Sequence, residues 1–202
     1  MSQTTKTKPV HRKVLDDARQ IELATRMIRC GARLQVLEAE TSLSYDRLSH
    51  LYHEIRGCSP SKGLLPFSES WYLSWRANLH ASLFYSLFVA IEKARPNLPE
   101  VECLIRAYQL YEGNEIACEG GERKEPYLTF TRAWMLVRFV RRADALKLSH
   151  CQDCGIGFLT HTHTHGLTLR CAVCNPPPRA LPALRGGSID TPHDLSLHHA
   201  AA

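Results

Sequence analysis

Four cysteines carry the clearest chemistry in this sequence. They form two Cys-x-x-Cys knuckles, Cys151-Gln-Asp-Cys154 and Cys171-Ala-Val-Cys174, separated by sixteen residues. One knuckle brings two thiolates within reach of one ion. Two knuckles supply four, which fills the tetrahedral shell that Zn²⁺ takes in closed structural sites. The separation falls within the window read as a zinc site. Four sulfurs leave no open position for water or substrate, so the expected role is structural. Two disulfides are the competing reading; an intracellular chain, whose thiols stay reduced, argues against them.

The sixteen residues between the knuckles alternate bulky and small side chains and read as a hairpin, giving a ribbon-like zinc module over 149–178. His161, His163 and His165 recur at a spacing of two, which along a strand places them on one side. They could bind a second metal or replace a thiolate; exposed loop histidines are the plainer reading, because four cysteines already complete a site. Cys30, Cys58, Cys103 and Cys118 match no pairing rule and read as small apolar fillers.

The elements that must carry this module are helical. Apolar residues at three- and four-residue steps mark a helix from Val14 through Ile28, and Gly31 ends it. Leu34 and Leu37 belong to a second helix ending near Glu40. After a polar corner, Ser44 caps a third, with Leu48, Leu51 and Ile55 on its inner face and Gly57 at its end. Residues 32–57 therefore resemble a helix-turn-helix, whose second helix enters the major groove. Its outer face carries Tyr45, Asp46, Arg47, Ser49, His50 and His53, with Arg47 the leading reader of base or phosphate. A plain corner between two core helices fits the pattern equally well.

A long helix is expected from Ser68 or Ser70 to about Arg95, with Trp71, Trp75, Leu79, Leu83, Leu87 and Ile91 as its buried stripe and His80 as a hydrogen-bonded core histidine. Pro99 opens the next helix, residues 113–125 read as a loop, and Pro126 opens the last helix. Segment 123–147 holds seven Lys and Arg against two acids. Arg138, Arg141 and Arg142 cluster there on one side as a candidate phosphate-contacting ridge. The fold class is thus mainly α: a multi-helix domain over 14–148 followed by the zinc module. Residues 1–13 and 179–202 read as disordered extensions.

Composition bounds the function. The chain has 202 residues, 44% of them hydrophobic, with net charge +5 and a pI near 8.8. It is long enough for one core plus a small module, and basic enough to permit a nucleic-acid partner. No apolar run reaches the roughly 20 residues of a bilayer span, and the N-terminus lacks the apolar stretch of a signal peptide; a cytoplasmic protein without membrane attachment is expected. No phosphate loop, dinucleotide fingerprint or nucleophile motif is present, which argues against an enzyme and against a small-molecule substrate.

These stretches together resemble the FlhC family, the C subunits of the bacterial flagellar master transcriptional activator. The resemblance runs from about Ile21 to Pro178. It rests on Gly31-Ala-Arg-Leu-Gln35, Glu38 to Leu43, Leu51-Tyr52 with Arg56-Gly57, and Leu65-Pro-Phe-Ser68. It continues through Trp71 and Trp75, His80-Ala-Ser82, Thr131-Arg-Ala-Trp134, Leu136-Val-Arg-Phe-Val140, the two knuckles and Cys174-Asn-Pro-Pro. The resemblance implies a Zn²⁺ held by Cys151, Cys154, Cys171 and Cys174. It also implies a DNA-binding activator that works as a hetero-oligomer with FlhD, binds promoter DNA upstream of flagellar operons and recruits RNA polymerase. The N-terminal extension, and a tail without the basic run of some relatives, depart from the pattern. A structural adaptor that assembles with a DNA-binding partner without itself reading DNA is the alternative.

Overall fold

The computed structural model describes residues 10–114, 126–142, 145–164, 166 and 169–178. The expected extensions before residue 10 and after 178, most of the 113–125 loop, Cys118 and His165 lie outside these residues. Six helices and one two-stranded sheet follow in order: α1 (Val10–Arg29), α2 (Leu34–Glu40), α3 (Tyr45–Arg56), a 3₁₀ turn (Ser70–Leu73), α4 (Trp75–Ala94), α5 (Glu100–Glu112), α6 (Phe130–Arg142), β1 (Leu146–His150) and β2 (Gly157–His161). The architecture is mainly α, as the periodicity indicates.

The first three helices form as their punctuation dictates. Gly31 adopts φ +83°. Its N–H bonds the Ile28 carbonyl while the Ala32 N–H bonds Met27, the paired closure that lets a left-handed glycine stop a helix. Gly57, at φ +67°, ends α3 in the same region of backbone space. Leu37, Leu43 and Leu48 are buried across the α2–α3 corner, with Leu51 half-buried beside them. Val14 and Leu15 are exposed, so α1 joins the core only from about Ile21 onward.

The long helix expected from Ser68 or Ser70 is interrupted. Ser74 is extended, with ψ 145°, and separates the 3₁₀ turn from α4. The cause is Tyr72, whose side chain is fully buried and whose hydroxyl donates to the Arg132 carbonyl on α6. The buried face of α4 also differs from the expected stripe. Ala77, Ala81, Phe84 and Phe88 point inward, whereas Trp75, Leu79, Leu83, Leu87 and Ile91 are only half-buried. Small alanines let neighbouring elements approach closely, and that outweighs the larger apolar area on the other face.

The last helix starts at Phe130, not Pro126. Two buried tyrosines of α5 hold the lead-in out of helical geometry: Tyr108 donates its hydroxyl to the Leu128 carbonyl, and Tyr111 accepts the Leu128 N–H, each at 3.1 Å.

The ribbon is built differently from the expected hairpin between the knuckles. β1 precedes the first knuckle and β2 follows it, antiparallel, with Leu148 opposite Leu159. Residues 151–156 make the reversal, because the knuckle is itself a tight turn: the Gly155 N–H bonds the Cys151 carbonyl at 2.9 Å and Gly155 takes φ +72°. The outer edge of β2 is closed by α4. Ser82 Oγ accepts the Leu159 N–H at 3.0 Å, and Asn78 Nδ2 donates to the Leu159 carbonyl at 2.8 Å. Trp75 Nε1 donates to the Ala172 carbonyl in the second knuckle at 2.8 Å. Leu146 and Leu159 enter the main core, while Cys151, Phe158 and Cys171 form a small one of their own.

Asn78 also donates to the Tyr72 carbonyl, so one buried amide holds both the 3₁₀ turn and the ribbon. Asn78→Ala leaves buried carbonyls unpaired, at a cost of about 1–3 kcal/mol. The expected result is an earlier urea midpoint and faster amide exchange in β2; unchanged values for both would show that water replaces the amide.

Candidate metal centre and nucleic-acid interface

The two knuckles are built alike. In each, the N–H after the second cysteine bonds back to the first cysteine's carbonyl: Gly155 to Cys151 at 2.9 Å and Asn175 to Cys171 at 3.0 Å. The Gln152 N–H bonds the Leu169 carbonyl and joins the first knuckle to the residues just before the second. The four Sγ atoms lie within 4.8 Å of one another, and they are the one metal-donor group among the described residues. Cys154 Sγ and Cys171 Sγ are 3.7 Å apart. A sulfur tetrahedron with metal–sulfur bonds of about 2.3 Å has edges of about 3.8 Å, whereas a disulfide bond is about 2.05 Å. All four sulfurs are free thiols in a geometry suited to one ion.

The electrostatics agree. The Cys171 N–H, 3.3 Å from the Cys151 sulfur, pulls that thiol down to about 6. The Ile156 N–H lowers Cys154, but desolvation and the Cys151 and Cys171 sulfurs raise it on balance. Cys174 is pushed well up by its hydrogen bonds to Cys154 and Cys171. One thiolate forms easily, and each further negative charge is resisted by those already present. A cation removes that resistance, which is the chemistry of a metal-binding thiolate set. Cys151 and Cys171 are buried, Cys174 is half-buried and Cys154 is exposed.

His161 and His163 stand apart from the cysteines. Their rings are 5.2 Å apart, and the His163 N–H donates to His161 Nδ1. His80 is a core histidine, as expected. Its Nδ1 is 2.8 Å from the Tyr111 hydroxyl, its ring stacks on Tyr127, and burial together with nearby Arg76 lowers its pKa, which keeps it neutral.

The candidate DNA-contacting residues divide by their partners. On α3, Tyr45, Arg47, His50 and His53 are exposed. Arg47 Nη1 lies 3.2 Å from Asp17 on α1, and neither side chain is buried. His50 has no hydrogen-bond or ion-pair partner among the described residues. On α6, Arg138 donates to Glu40 at 2.9 Å and stacks over Trp134 at 3.9 Å. Arg141 is clamped between Glu92 and Glu100. Arg142 is exposed, with no such partner among the described residues. The basic ridge is thus two arginines engaged within the fold and one open to solvent.

Sequence reasoning missed Glu40. Its Oε1 accepts both Trp134 Nε1–H and Arg138, at 2.7 and 2.9 Å, and so braces the α2–α3 corner against α6. It missed Asn78 and the docking role of Ser82 as well. The available signal was a pair of polar residues four apart on an otherwise apolar helix, which demands buried partners.

Comparison with known proteins identifies a family. The model of the family described as "Flagellar transcriptional activator (FlhC)" matches residues 10–185. The flagellar transcriptional regulator FlhC of Gallionella capsiferriformans is 47% identical over 167 residues, covering 83% of this chain and 89% of that protein. Those of Serratia marcescens and Proteus mirabilis are 43% and 42% identical, covering 85% and 83% of this chain and 86% and 84% of their own lengths. Matched over most of its length by this family model and by relatives more than 40% identical, the chain belongs to the FlhC family of flagellar transcriptional regulators, a regulatory and non-enzymatic family.

Proposed function

We propose that this chain is a DNA-binding activator of flagellar operons that assembles with FlhD, binds upstream promoter DNA and recruits RNA polymerase. The observation that carries the reading is the solvent-facing side of α3, presented by a corner that Glu40 braces against α6. Arg47 and His50 read bases. Arg142 takes a phosphate directly, and Arg138 and Arg141 do so by exchanging carboxylate partners, since part-exposed ion pairs are held by no more than about 1 kcal/mol. The ion pairs of Arg47, Arg138 and Arg141 favour a second reading, a zinc-stabilised adaptor that holds a DNA-binding partner; crosslinking of this chain to promoter DNA separates the two.

The metal is Zn²⁺, one per chain, held by Cys151, Cys154, Cys171 and Cys174. It is structural and supplies folding free energy to the ribbon. Elemental analysis of the reduced protein should give one zinc per chain. Cys151→Ser or Cys174→Ser should lose the metal and unfold β1–β2. Reduced protein that is folded and free of zinc would end this assignment.

FlhD is proposed to cover the half-buried stripe of α4 and the shallow groove beside it. That groove, of about 360 Å³, is lined by Ile91, Ala94 and Leu110, with Arg95 and Arg106 alongside. Leu110 is 57% exposed, so Leu110→Glu should leave the fold intact and reduce co-purification with FlhD. Full recovery of the hetero-oligomer would place the interface elsewhere.

Arg142→Ala should weaken cognate and random DNA alike and reduce the salt slope of binding by about 1. Arg47→Ala should cost about 1–3 kcal/mol on the cognate site and narrow its advantage over random DNA. Anisotropy titrations of the assembled complex test both, and unchanged curves for the two variants would remove α3 and α6 from the DNA surface.

A further inference from the structure

Several arginines of the described surface are tied to carboxylates: Arg26 to Glu102, Arg47 to Asp17, Arg138 to Glu40, Arg141 to Glu92 and Glu100, and Arg170 to Asp153. Three others share a different environment. Arg29, Arg33 and Arg56 line a single cavity of about 480 Å³. Arg29 is the last residue of α1, Arg33 is the N-cap of α2, and Arg56 is the last residue of α3. Three successive elements therefore each contribute one arginine to its lining. None of the three is paired with a carboxylate among the described residues. The Arg33 side chain donates from Nη1 to the Leu64 carbonyl at 2.7 Å and has no other side-chain partner among the described residues.

Helix dipoles explain only part of this. Arg29 and Arg56 sit at helix C-termini, where a cation is favoured by about 0.3–1 kcal/mol. Arg33 sits at a helix N-terminus, where a cation is disfavoured. Gathering three like charges around one cavity also adds Coulomb repulsion that packing gives no reason to accept. Against them stand Glu112, the carboxylate among the lining residues, and about −0.5 charge from each of two helix ends. Among the described lining residues, three arginines stand against one carboxylate. Tyr52, Tyr108 and Phe130, all buried, back the cavity. Burial of Cys30 pushes its thiol up to about 11, so this wall residue adds no negative charge near neutral pH. The volume suits a small ligand.

We infer that the cavity between the ends of α1 and α3 is a phosphate-ester site formed by Arg29, Arg33 and Arg56. The planar forks match phosphate oxygens two at a time, and an anion relieves the repulsion among them. The ester comes either from a small soluble phosphorylated molecule or from the backbone of bound DNA.

The test uses the full-length chain in the assembly in which it purifies. Calorimetry with AMP and with pyrophosphate probes the soluble source; anisotropy with promoter and random duplexes over a salt series probes the DNA source. The variant is R29A/R56A, which changes two exposed side chains. R29K/R56K, which keeps charge but loses the forks, serves if the alanine variant melts early. For a soluble ligand, wild type binds AMP or pyrophosphate, the variant loses about tenfold or more, and DNA binding is unchanged. For DNA, wild type ignores both soluble probes and the variant lowers the salt slope by about 2. If the complex binds DNA but the variant matches wild type on every probe, the cavity site is overturned and the DNA-binding reading stands. If AMP or pyrophosphate binding depends on these arginines while no DNA is bound, the site stands and the DNA-binding reading falls. Binding of none of the probes by wild type overturns both.

Discussion

A two-stranded ribbon leaves the outer edge of each strand with backbone groups that need partners, and the fold depends on how α4 meets that need. Asn78 and Ser82, one helical turn apart, take the carbonyl and N–H of Leu159 as a third strand would. Sequestered peptide groups left without partners would each cost about 1–3 kcal/mol, so the two side chains make the ribbon's position on the helical body specific. Trp75 repeats the device on the second knuckle through the Ala172 carbonyl. The cysteine cluster is consequently not a bead on a tether. Its first strand and its second each send a leucine, Leu146 and Leu159, into the main core.

The same economy governs the arginines. A run of positive charge in sequence reads naturally as a surface for an anion, yet Arg138 and Arg141 find Glu40, Glu92 and Glu100 within the fold. Glu40 is the more consequential partner, because it stands at the end of α2 and accepts from Trp134 as well. One carboxylate oxygen thus ties the end of α2 to α6 just before the corner that leads into α3. An aromatic ring under each guanidinium, Trp134 for Arg138 and Phe88 for Arg141, adds to the hold. Arg142 and the arginines at the ends of α1 and α3 have no carboxylate partner among the described residues.

Much of the architecture was legible from residue types alone. Gly31 and Gly57 marked helix ends because only a residue without Cβ takes those φ values cheaply. The Leu37, Leu43 and Leu48 spacing marked the α2–α3 corner, and the knuckle spacing marked the metal-donor set. These are local signals, in which neighbours in sequence are neighbours in space. Where the reading went astray, the deciding partner was far away. The helix expected across Ser74 breaks because Tyr72 must reach α6. The helix expected from Pro126 starts late because Tyr108 and Tyr111 capture Leu128.

The sequence by itself therefore determined the helical class, the C-terminal ends of the first three helices and the identity of the four cysteine donors, since each follows from periodicity, backbone freedom or short spacing; the start of α1, at Val10 rather than Val14, it did not. Tertiary structure alone decided which face of α4 is buried, where the ribbon's strands fall about the knuckle, and which arginines remain free. Those outcomes depend on side chains tens of residues apart competing for the same buried volume, backbone group or carboxylate, and a one-dimensional pattern does not encode which competitor is nearer.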